Sequence, residues 1–315
     1  MSGMDIKFSV VIPVYKSSRS LPELVERINK VFSEVVRESY EIVMVDDGSP
    51  LPETWKTLES LAEKNDFLKA IQLTRNFGRA GALLCGLENA QGEFIITMDD
   101  DLQHRPEDIP LLLEKKEHDV VFGNFKWRKH SLFVRITSEI KGLFDKLIIG
   151  RPRGIKVSSF NMIKADIVRS MLGIKTPYPF IPALMFYVTK DAVSVYVTHE
   201  RRIYGASGFT LWKRINQFLR LLINNSSLLL KSVAAIGLAM ATFSTMYSIY
   251  LIINKFYQRV HVSGWTSLMV AILITSGLIL FSLGVVGEYL IRIINGIEER
   301  PPFIIRKKVD RGDKC

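Results

Sequence analysis

Short apolar runs alternate with amphipathic segments along residues 1–125 of the chain. The runs are five to eight residues long and mostly rich in valine, isoleucine and phenylalanine, which predicts buried strands. They cover residues 8–15, 41–47, 68–73, 94–98 and 119–123. Helical spacing predicts helices at about 20–37, 52–64 and 79–90 and another from Pro106, with Ser20 and Glu23 spaced as a capping box. This alternation predicts an α/β domain with a mostly parallel central sheet.

Two longer apolar segments follow, at residues 233–253 and 266–287, and neither contains a charged residue. A helix of about 20 residues spans about 30 Å, the thickness of a bilayer core, so both segments are predicted membrane spans. The link at 254–265 is too short for a folded domain. We therefore expect a transmembrane hairpin with both of its ends on the same side of the membrane.

The charge distribution gives this hairpin an orientation. The net charge is +10, from 42 basic and 32 acidic residues, and basic side chains outside the hairpin outnumber those in its loop. The positive-inside rule then predicts a multi-pass protein of the cytoplasmic (inner) membrane, with the α/β domain and both termini cytoplasmic. A basic chain with such a hairpin favours an anionic membrane and phosphate-bearing ligands over nucleic acid. Cys85 and Cys315 are too few for a disulfide framework or a thiolate metal site.

Acidic residues cluster where the strand at 94–98 ends, with Asp99, Asp101 and Gln103 in the segment MDDDLQH. Adjacent carboxylates repel one another, and a hard divalent cation such as Mg²⁺ or Mn²⁺ would relieve that repulsion. The alternative is an acidic turn that caps the helix from Pro106. The carboxyl end of a strand in an open α/β sheet is where ligands bind, which favours the metal hypothesis for Asp99 and Asp101.

A second acidic strand end lies about 50 residues earlier, where Asp46 and Asp47 precede Gly-Ser-Pro. Carboxylates next to a tight turn can accept hydrogen bonds from a base N–H or a ribose hydroxyl. The sequence contains neither a GxGxxG nor a GxxxxGK[ST] motif, which disfavours a Rossmann or P-loop phosphate site. The phosphates of a bound nucleotide are therefore expected to need a metal and basic side chains.

The ordered blocks VVIPVYKSSRSLPELVERI, IVMVDDGSP, LTRNFGRAGALLCGL, DDDLQHRPEDIP and DVVFGN resemble those of the family 2 glycosyltransferases, which have a GT-A fold. Within that family the chain is similar to enzymes that load a sugar onto a polyprenyl phosphate: the dolichyl-phosphate mannose synthases, bactoprenol glucosyltransferases and undecaprenyl-phosphate aminoarabinose transferases. The segment RRIYGASGFTLWKRI, the hairpin and the GEYLIRI and ERPPFIIR segments extend the resemblance over nearly the whole chain.

The resemblance implies an organisation in four parts. Residues 1–212 would form a cytoplasmic GT-A catalytic domain, 213–231 an amphipathic juxtamembrane helix, 232–291 the transmembrane hairpin and 292–315 a basic cytoplasmic tail. Residues 131–149 mix apolar and basic residues, which fits either a helix on the membrane interface or one packed on the sheet. Relatives of this kind assemble as oligomers, so a homo-oligomer is expected.

The resemblance also assigns roles to individual residues. Metal ligation would fall to a D-x-D-x-Q pattern, with Asp101 as the first choice for a direct ligand: Asp99, Asp101 and Gln103. The donor nucleotide sugar, a UDP-sugar in preference to a GDP-sugar, would contact Pro13, Tyr15, Asp46, Asp47, Asp99, Asp100, Arg202 and Ser207. The acceptor phosphate would contact Lys126, Arg135 and Arg202. For Pro13 and Tyr15, a strand end and a core aromatic is the competing interpretation.

Three positions depart from the family pattern. Lys126 replaces the usual Arg, Gly208 replaces a Lys, and Ser158 lies where relatives have an Asp proposed as general base. A phosphate monoester has a second pKa of about 6 and is largely a dianion at neutral pH, so it can attack without losing a proton.

The resemblance therefore implies an inverting transfer of sugar to polyprenyl (undecaprenyl) phosphate on the cytoplasmic leaflet. Two alternatives stay open: transfer to a polysaccharide or a lipid-linked saccharide, and a non-catalytic membrane scaffold. The departures at Ser158 and Gly208 support the second alternative, and the intact acidic pattern opposes it.

Overall fold

The computed structural model gives two compact units, Met1–Phe209 with Glu299–Cys315 and Thr210–Glu298. It describes residues 6–125, 150–198 apart from 153, 177 and 178, and 301–310, with short stretches between 246 and 293.

Across these residues, the structure contains no helix with both the length and the apolar character needed to cross a membrane. The predicted span at 233–253 lies almost entirely outside the described residues, and the span at 266–287 is described only in part. The segments at 131–149 and 213–231 lie outside them entirely.

An eight-stranded sheet forms the centre of the first unit, as far as the chain is described. The strands are β1 (Phe8–Val14), β2 (Tyr40–Asp46), β3 (Leu68–Leu73), β4 (Phe94–Thr97), β5 (Val120–Phe125), β6 (Asn161–Lys164), β7 (Ala192–Val197) and β8 (Ile305–Val309). Their order across the sheet is β7-β5-β6-β4-β1-β2-β3-β8. The pairs β1/β2, β1/β4, β2/β3 and β5/β7 are parallel, whereas β6 and β8 are antiparallel to their neighbours. The predicted α/β fold with a mostly parallel sheet is confirmed.

Helices cover both faces of this sheet. They are α1 (Leu21–Lys30), α2 (Pro52–Lys64), α3 (Arg79–Asn89), α4 (Ile109–Leu113), α5 (Ala165–Leu172) and α6 (Ile181–Val188). A π-helical turn continues α1, and a 3-10 turn precedes α4. Buried residues of α1, α2 and α4 pack in one core, and those of α3, α5 and α6 pack in the other. The strand-helix alternation of the sequence therefore corresponds to a three-layer architecture.

The apolar spacing explains how these layers pack. Leu21, Leu24 and Ile28 lie on one face of α1 and are fully buried, because positions three and four apart share a helix face. Along β1, Ile12 faces the core beneath α1, and Val11 faces the opposite core. Gly86 permits the close approach of α3 to this strand, because a Cβ at that position would overlap the Val11 side chain.

The predicted capping box at Ser20 and Glu23 is wrong. Ser20 makes no side-chain cap hydrogen bond, and its hydroxyl lies 2.7 Å from the backbone carbonyl oxygen of Asp100, to which it donates. Glu23 instead pairs with Arg27 at 3.5 Å. The Ser20 side chain therefore connects the start of α1 to the acidic loop after β4.

The predicted basic tail at 292–315 contains strand β8, which the pattern of apolar residues does not predict. Four of the five residues of β8 are exposed, so the strand lacks the alternation of a half-buried strand. Its backbone pairs with β3, and just before it the Ile304 carbonyl accepts the Thr74 N–H at 2.9 Å. The chain therefore returns to the sheet edge beside the loop that follows β3.

A buried ion network also holds this C-terminal segment. Glu41 is 3% exposed, and its Oε1 accepts hydrogen bonds from the Ser9 hydroxyl at 2.6 Å and the Gln91 N–H at 2.5 Å. The Lys69 ammonium lies 2.8 Å from Glu41 Oε2 and 3.6 Å from Asp310 Oδ2. Charges on β2, β3 and the residue after β8 are thus connected inside the protein.

Candidate functional site

The loops that follow β1, β2, β3 and β4 meet at the carboxyl edge of the parallel strands. Hydrogen bonds cross between them: the Tyr15 N–H donates to Asp100 Oδ2 at 3.1 Å, and the Lys16 N–H donates to Ser49 Oγ at 3.0 Å. The Phe77 N–H donates to Asp47 Oδ1 at 2.7 Å. The sheet topology therefore brings the two predicted acidic strand ends together at one edge.

Two residues in these loops have strained backbones. Lys16 and Leu102 both have φ of 60°, a left-handed conformation that costs energy for residues with a side chain. Leu102 is also fully buried, so its side chain fixes the loop that contains Asp101 and Gln103. Such strain persists where the surroundings determine a specific geometry, and it is common at binding sites.

Asp99 is held on both oxygens of its carboxylate. Arg79 Nε and Nη2 each lie 2.7 Å from Oδ1, and the Ser159 hydroxyl donates to Oδ2 at 2.6 Å. Burial alone would raise the pKa of Asp99, but the Arg79 guanidinium and the Ser159 hydrogen bond bring that pKa below its usual value. Asp99 is therefore a carboxylate anion at neutral pH.

His104 supports the same corner of the site. It is 4% exposed and its ring stacks on Phe160 with a centroid distance of 5.3 Å. The Asp99 backbone N–H points to His104 Nδ1 at 3.3 Å, and His104 Nε2 lies 3.4 Å from Ser159 Oγ. Because Nδ1 accepts the hydrogen bond from the Asp99 N–H, the ring proton belongs on Nε2, where it can donate to Ser159 Oγ.

The other two acids of the run have different environments. Asp100 accepts the Tyr15 N–H, and burial raises its pKa to about 6. Asp101 is partly exposed, and its Oδ1 accepts the Gln103 backbone N–H at 3.1 Å. Asp100 thus orients the loop after β1, while Asp101 and Gln103 are joined by a hydrogen bond within the loop after β4.

Asp46 and Asp47 are both buried at the end of β2. Asp46 accepts hydrogen bonds from the Ser49 N–H at 3.0 Å and from Gln72 Nε2 at 3.3 Å. Gly48, the next residue, has φ of 60°, and a Cβ there would overlap the backbone of Arg75 in the loop after β3. The two carboxylates therefore fix the shape of the turn, and their contact with a nucleoside stays a prediction.

Aromatic rings with nearby cations line the same edge. Tyr15 is 41% exposed with Lys16 Nζ 5.0 Å from its ring centroid, and the Arg75 guanidinium lies 4.2 Å from the Phe77 ring centroid. Pro13 is buried within β1. A planar base could stack on these exposed surfaces. Of the predicted base contacts, Tyr15 has an accessible ring and Pro13 is buried, and the contact of either with a base stays a prediction.

The remaining predicted site residues lie outside the described part of the chain: Lys126, Arg135, Arg202 and Ser207. Ser158 is described, and its hydroxyl accepts the Phe160 N–H at 3.2 Å. The neighbouring Ser159, and not Ser158, reaches Asp99. Sequence reasoning missed Arg79, Ser159 and His104. Ser159 could not be found because the antiparallel β4/β6 pairing, with Thr97 opposite Asn161, is what brings it to this loop.

The donor atoms at the acidic edge are oxygens, which hard divalent cations prefer as ligands. In the described ranges, no three His, Cys, Asp or Glu side chains are placed to hold a metal ion together. Mg²⁺ is commonly bound through one or two carboxylates, with substrate phosphates and water completing its ligands. Asp101, Asp99 and Gln103 offer oxygen donors of the kind that such a cation prefers.

Asp47 gives a pH-dependent prediction. Burial raises its pKa from 3.8 to about 6, partly offset by hydrogen bonds from the Phe77 and Gly78 N–H groups. The folded state therefore binds the proton more tightly, so this carboxyl opposes folding increasingly as the pH rises from about 4 to 6. The cost is at most about 3 kcal/mol.

We expect Asp47→Asn to be at least as stable as wild type at pH 7.5, with its advantage shrinking by pH 4.5, and to bind nucleotide more weakly. Thermal unfolding across this pH range measures the first effect. Exposed Asp66→Asn is the matched control and should follow the wild-type profile. An Asp47→Asn variant that loses stability at pH 7.5 would show that the buried charge is stabilising.

Three comparisons place this arrangement among known proteins. Residues 9–172 match the family model "Glycosyl transferase family 2". The undecaprenyl-phosphate 4-deoxy-4-formamido-L-arabinose transferase of Photorhabdus laumondii is 31% identical over 307 residues, 96% of this chain and 94% of the relative. An uncharacterized glycosyltransferase of Synechocystis is 33% identical over 309 residues, 96% of this chain and 95% of the relative.

Among solved structures, the chain is similar to glucosyl-3-phosphoglycerate synthase from Mycobacterium tuberculosis, crystallised with Mn²⁺, UDP-glucose and phosphoglyceric acid. The TM-score is 0.50 at 12% identity, covering 70% of this chain and 79% of that chain. This likeness supports the GT-A-like fold.

Proposed function

Because this chain belongs to glycosyl transferase family 2, we propose that it transfers a sugar from a nucleotide sugar to the phosphate of a polyprenyl phosphate, with inversion at the anomeric carbon. The similarity to undecaprenyl-phosphate sugar transferases covers 96% of the chain and so extends beyond the catalytic domain. The observation that supports this function best is the meeting of Asp99, Asp101 and Gln103 with the Asp46–Asp47 turn at one sheet edge.

The donor would lie across this edge, with its base near Tyr15 and the turn after β2 and its diphosphate near Asp99 and Asp101. Asp101, Asp99 and Gln103 would hold Mg²⁺ or Mn²⁺, which when bound supplies Lewis-acid stabilisation of the departing diphosphate. Asp100 keeps the loop after β1 in place through the Tyr15 N–H. A UDP-sugar is the preferred donor in this proposal.

The acceptor would need cationic side chains that hold its phosphate in line with the anomeric carbon. We assign this role to Lys126, Arg135 and Arg202. No side chain has to act as base, because the phosphate dianion is already the nucleophile at neutral pH. An α-linked donor would therefore give a β-linked lipid phosphosugar.

We further propose that the enzyme lies in the cytoplasmic membrane and forms a homo-oligomer. The hairpin at 232–291 would anchor it, with the catalytic domain and both termini on the cytoplasmic side, where nucleotide sugars are available. The basic flanks of the hairpin are the support for this orientation.

A donor screen tests the proposed function. Full-length protein purified in detergent is incubated with undecaprenyl phosphate, Mg²⁺ or Mn²⁺, and a panel of labelled UDP-sugars and GDP-sugars. We expect chloroform-extractable label with one donor, and a β-linkage in the product by NMR. Absence of extractable label with every donor would contradict the proposal, and label in a water-soluble saccharide would favour the polysaccharide alternative.

A further inference from the structure

Arg79 is the first residue of α3, and its guanidinium is bound to a carboxylate of the candidate metal site. Nε and Nη2 both lie 2.7 Å from Asp99 Oδ1, so two N–H groups share this single oxygen. The side chain is 45% exposed, in contrast to the buried ion pairs elsewhere in the unit. Arg79 therefore interacts strongly with Asp99 without being locked in place by surrounding packing.

The position of Arg79 on its helix is electrostatically unfavourable. The first turn of a helix is its positive end, where a cationic side chain is destabilising by about 0.3–1 kcal/mol. The Asp99 carboxylate offsets this cost. An anionic partner is therefore favourable for an arginine at this position.

Arg79 and a divalent cation compete for the same oxygen. The Arg79 guanidinium lies directly against Oδ1, with Nε donating to this oxygen at 2.7 Å and Nη2 also 2.7 Å from it. The second oxygen already accepts the Ser159 hydroxyl. A cation bound through Oδ1 would displace the guanidinium and repel it.

The displaced guanidinium has one obvious anionic partner. A divalent cation in such a site takes phosphate oxygens of the substrate as ligands, so the donor diphosphate would lie next to the place that Arg79 leaves. The planar guanidinium has five N–H donors in a geometry that matches phosphate oxygens. The same side chain can thus serve Asp99 in one state and the diphosphate in the other.

We propose that Arg79 couples metal binding to donor binding, by exchanging the Asp99 carboxylate for the donor diphosphate when a divalent cation takes Asp99 Oδ1. Arg79 is then a positioning residue for Asp99 and a direct ligand of the diphosphate. This inference rests on the proposed nucleotide-sugar site, but not on the identity of the acceptor. It predicts effects of opposite sign on the two ligands.

The experiment uses full-length protein in detergent and two direct binding measurements. Mn²⁺ alone is titrated and followed by electron paramagnetic resonance, and UDP and GDP are titrated at saturating Mn²⁺ by calorimetry. Arg79→Ala should bind Mn²⁺ about threefold or more tightly than wild type, since its competitor is gone. The same variant should bind the nucleoside diphosphate about tenfold or more weakly, since a charge-assisted contact is lost.

Two further variants separate charge from geometry. Arg79→Lys keeps the charge but cannot place two N–H groups on one oxygen, so both of its affinities should lie between those of wild type and Arg79→Ala. Arg169→Ala removes an exposed arginine from α5 and is the matched control, with wild-type affinities expected.

The outcomes are distinct. Tighter Mn²⁺ with weaker nucleotide in Arg79→Ala supports the exchange. Weaker binding of both ligands would mean that Arg79 only supports the fold of the site, and tighter Mn²⁺ with unchanged nucleotide would mean simple repulsion; either result overturns the inference. Unchanged affinities overturn it too while the proposed function stands, and a wild-type protein that binds neither Mn²⁺ nor nucleotide overturns both.

Discussion

Asp101→Ala is expected to lower kcat/KM for sugar transfer by about 1000-fold or more, which corresponds to about 4 kcal/mol of transition-state stabilisation. Asp101 is partly exposed at the acidic edge, where a cation could reach both its carboxylate and a diphosphate. Its Oδ1 accepts the Gln103 N–H at 3.1 Å. Initial rates with saturating Mn²⁺ and undecaprenyl phosphate measure the effect.

The matched control is Asp101→Asn, which keeps the size and one oxygen but not the charge. We expect it to retain more activity than alanine and still lose most of the wild-type rate. The melting temperatures of both variants should lie within a few degrees of wild type, because the Asp101 side chain is partly exposed and a hydrogen bond such as the one from Gln103 contributes about 1 kcal/mol. Wild-type activity in Asp101→Ala would remove Asp101 from the metal site.

Glu41→Ala is expected to destabilise the α/β unit by about 3–5 kcal/mol, because it leaves a buried ammonium without its nearest counter-charge. Lys69 is 8% exposed, and the counter-charge that it keeps among the described residues is the more distant Asp310 carboxylate at 3.6 Å. The Ser9 hydroxyl and the Gln91 N–H lose their acceptor as well. Thermal unfolding should show a melting temperature lower by about 10 °C.

A double variant tests the cause of that loss. Glu41→Gln with Lys69→Met removes both charges and keeps an amide oxygen for Ser9 and Gln91, so it should recover much of the stability. A drop of less than about 1 kcal/mol in Glu41→Ala would show that the network contributes little to folding. Equal losses in the single and double variants would show that the unpaired Lys69 charge is not what destabilises Glu41→Ala.

Most of the central sheet could be predicted because its strands are buried on both faces. The helix at Pro52–Lys64 and the strand at Leu68–Leu73 have the predicted bounds, since local apolar spacing alone determines them. Strand β8 could not be predicted in this way. Its residues Ile305–Val309 are mostly basic and exposed, and they form a strand only because β3 offers an edge.

The site residues also differ in whether local sequence or the tertiary fold determines their position. Asp99 and Asp101 follow directly from a predicted strand end, so their place at the carboxyl edge needed no tertiary information. Arg79 and Ser159 contact Asp99 across 20 and 60 residues of sequence, and only the folded sheet brings them there. The failed capping box has the same origin, because the Ser20 hydroxyl meets the Asp100 carbonyl from 80 residues away.

The central claim is that the acceptor is a phosphate monoester on a polyprenol, and one comparison tests it most directly. The full-length enzyme is given its labelled nucleotide sugar with either undecaprenyl phosphate or undecaprenol, which differ only in the phosphate. The claim predicts a lipid-linked labelled product with undecaprenyl phosphate and none with undecaprenol. Equal labelling of the two lipids would contradict it. Labelling of neither lipid, by enzyme that still hydrolyses the nucleotide sugar, would contradict it too.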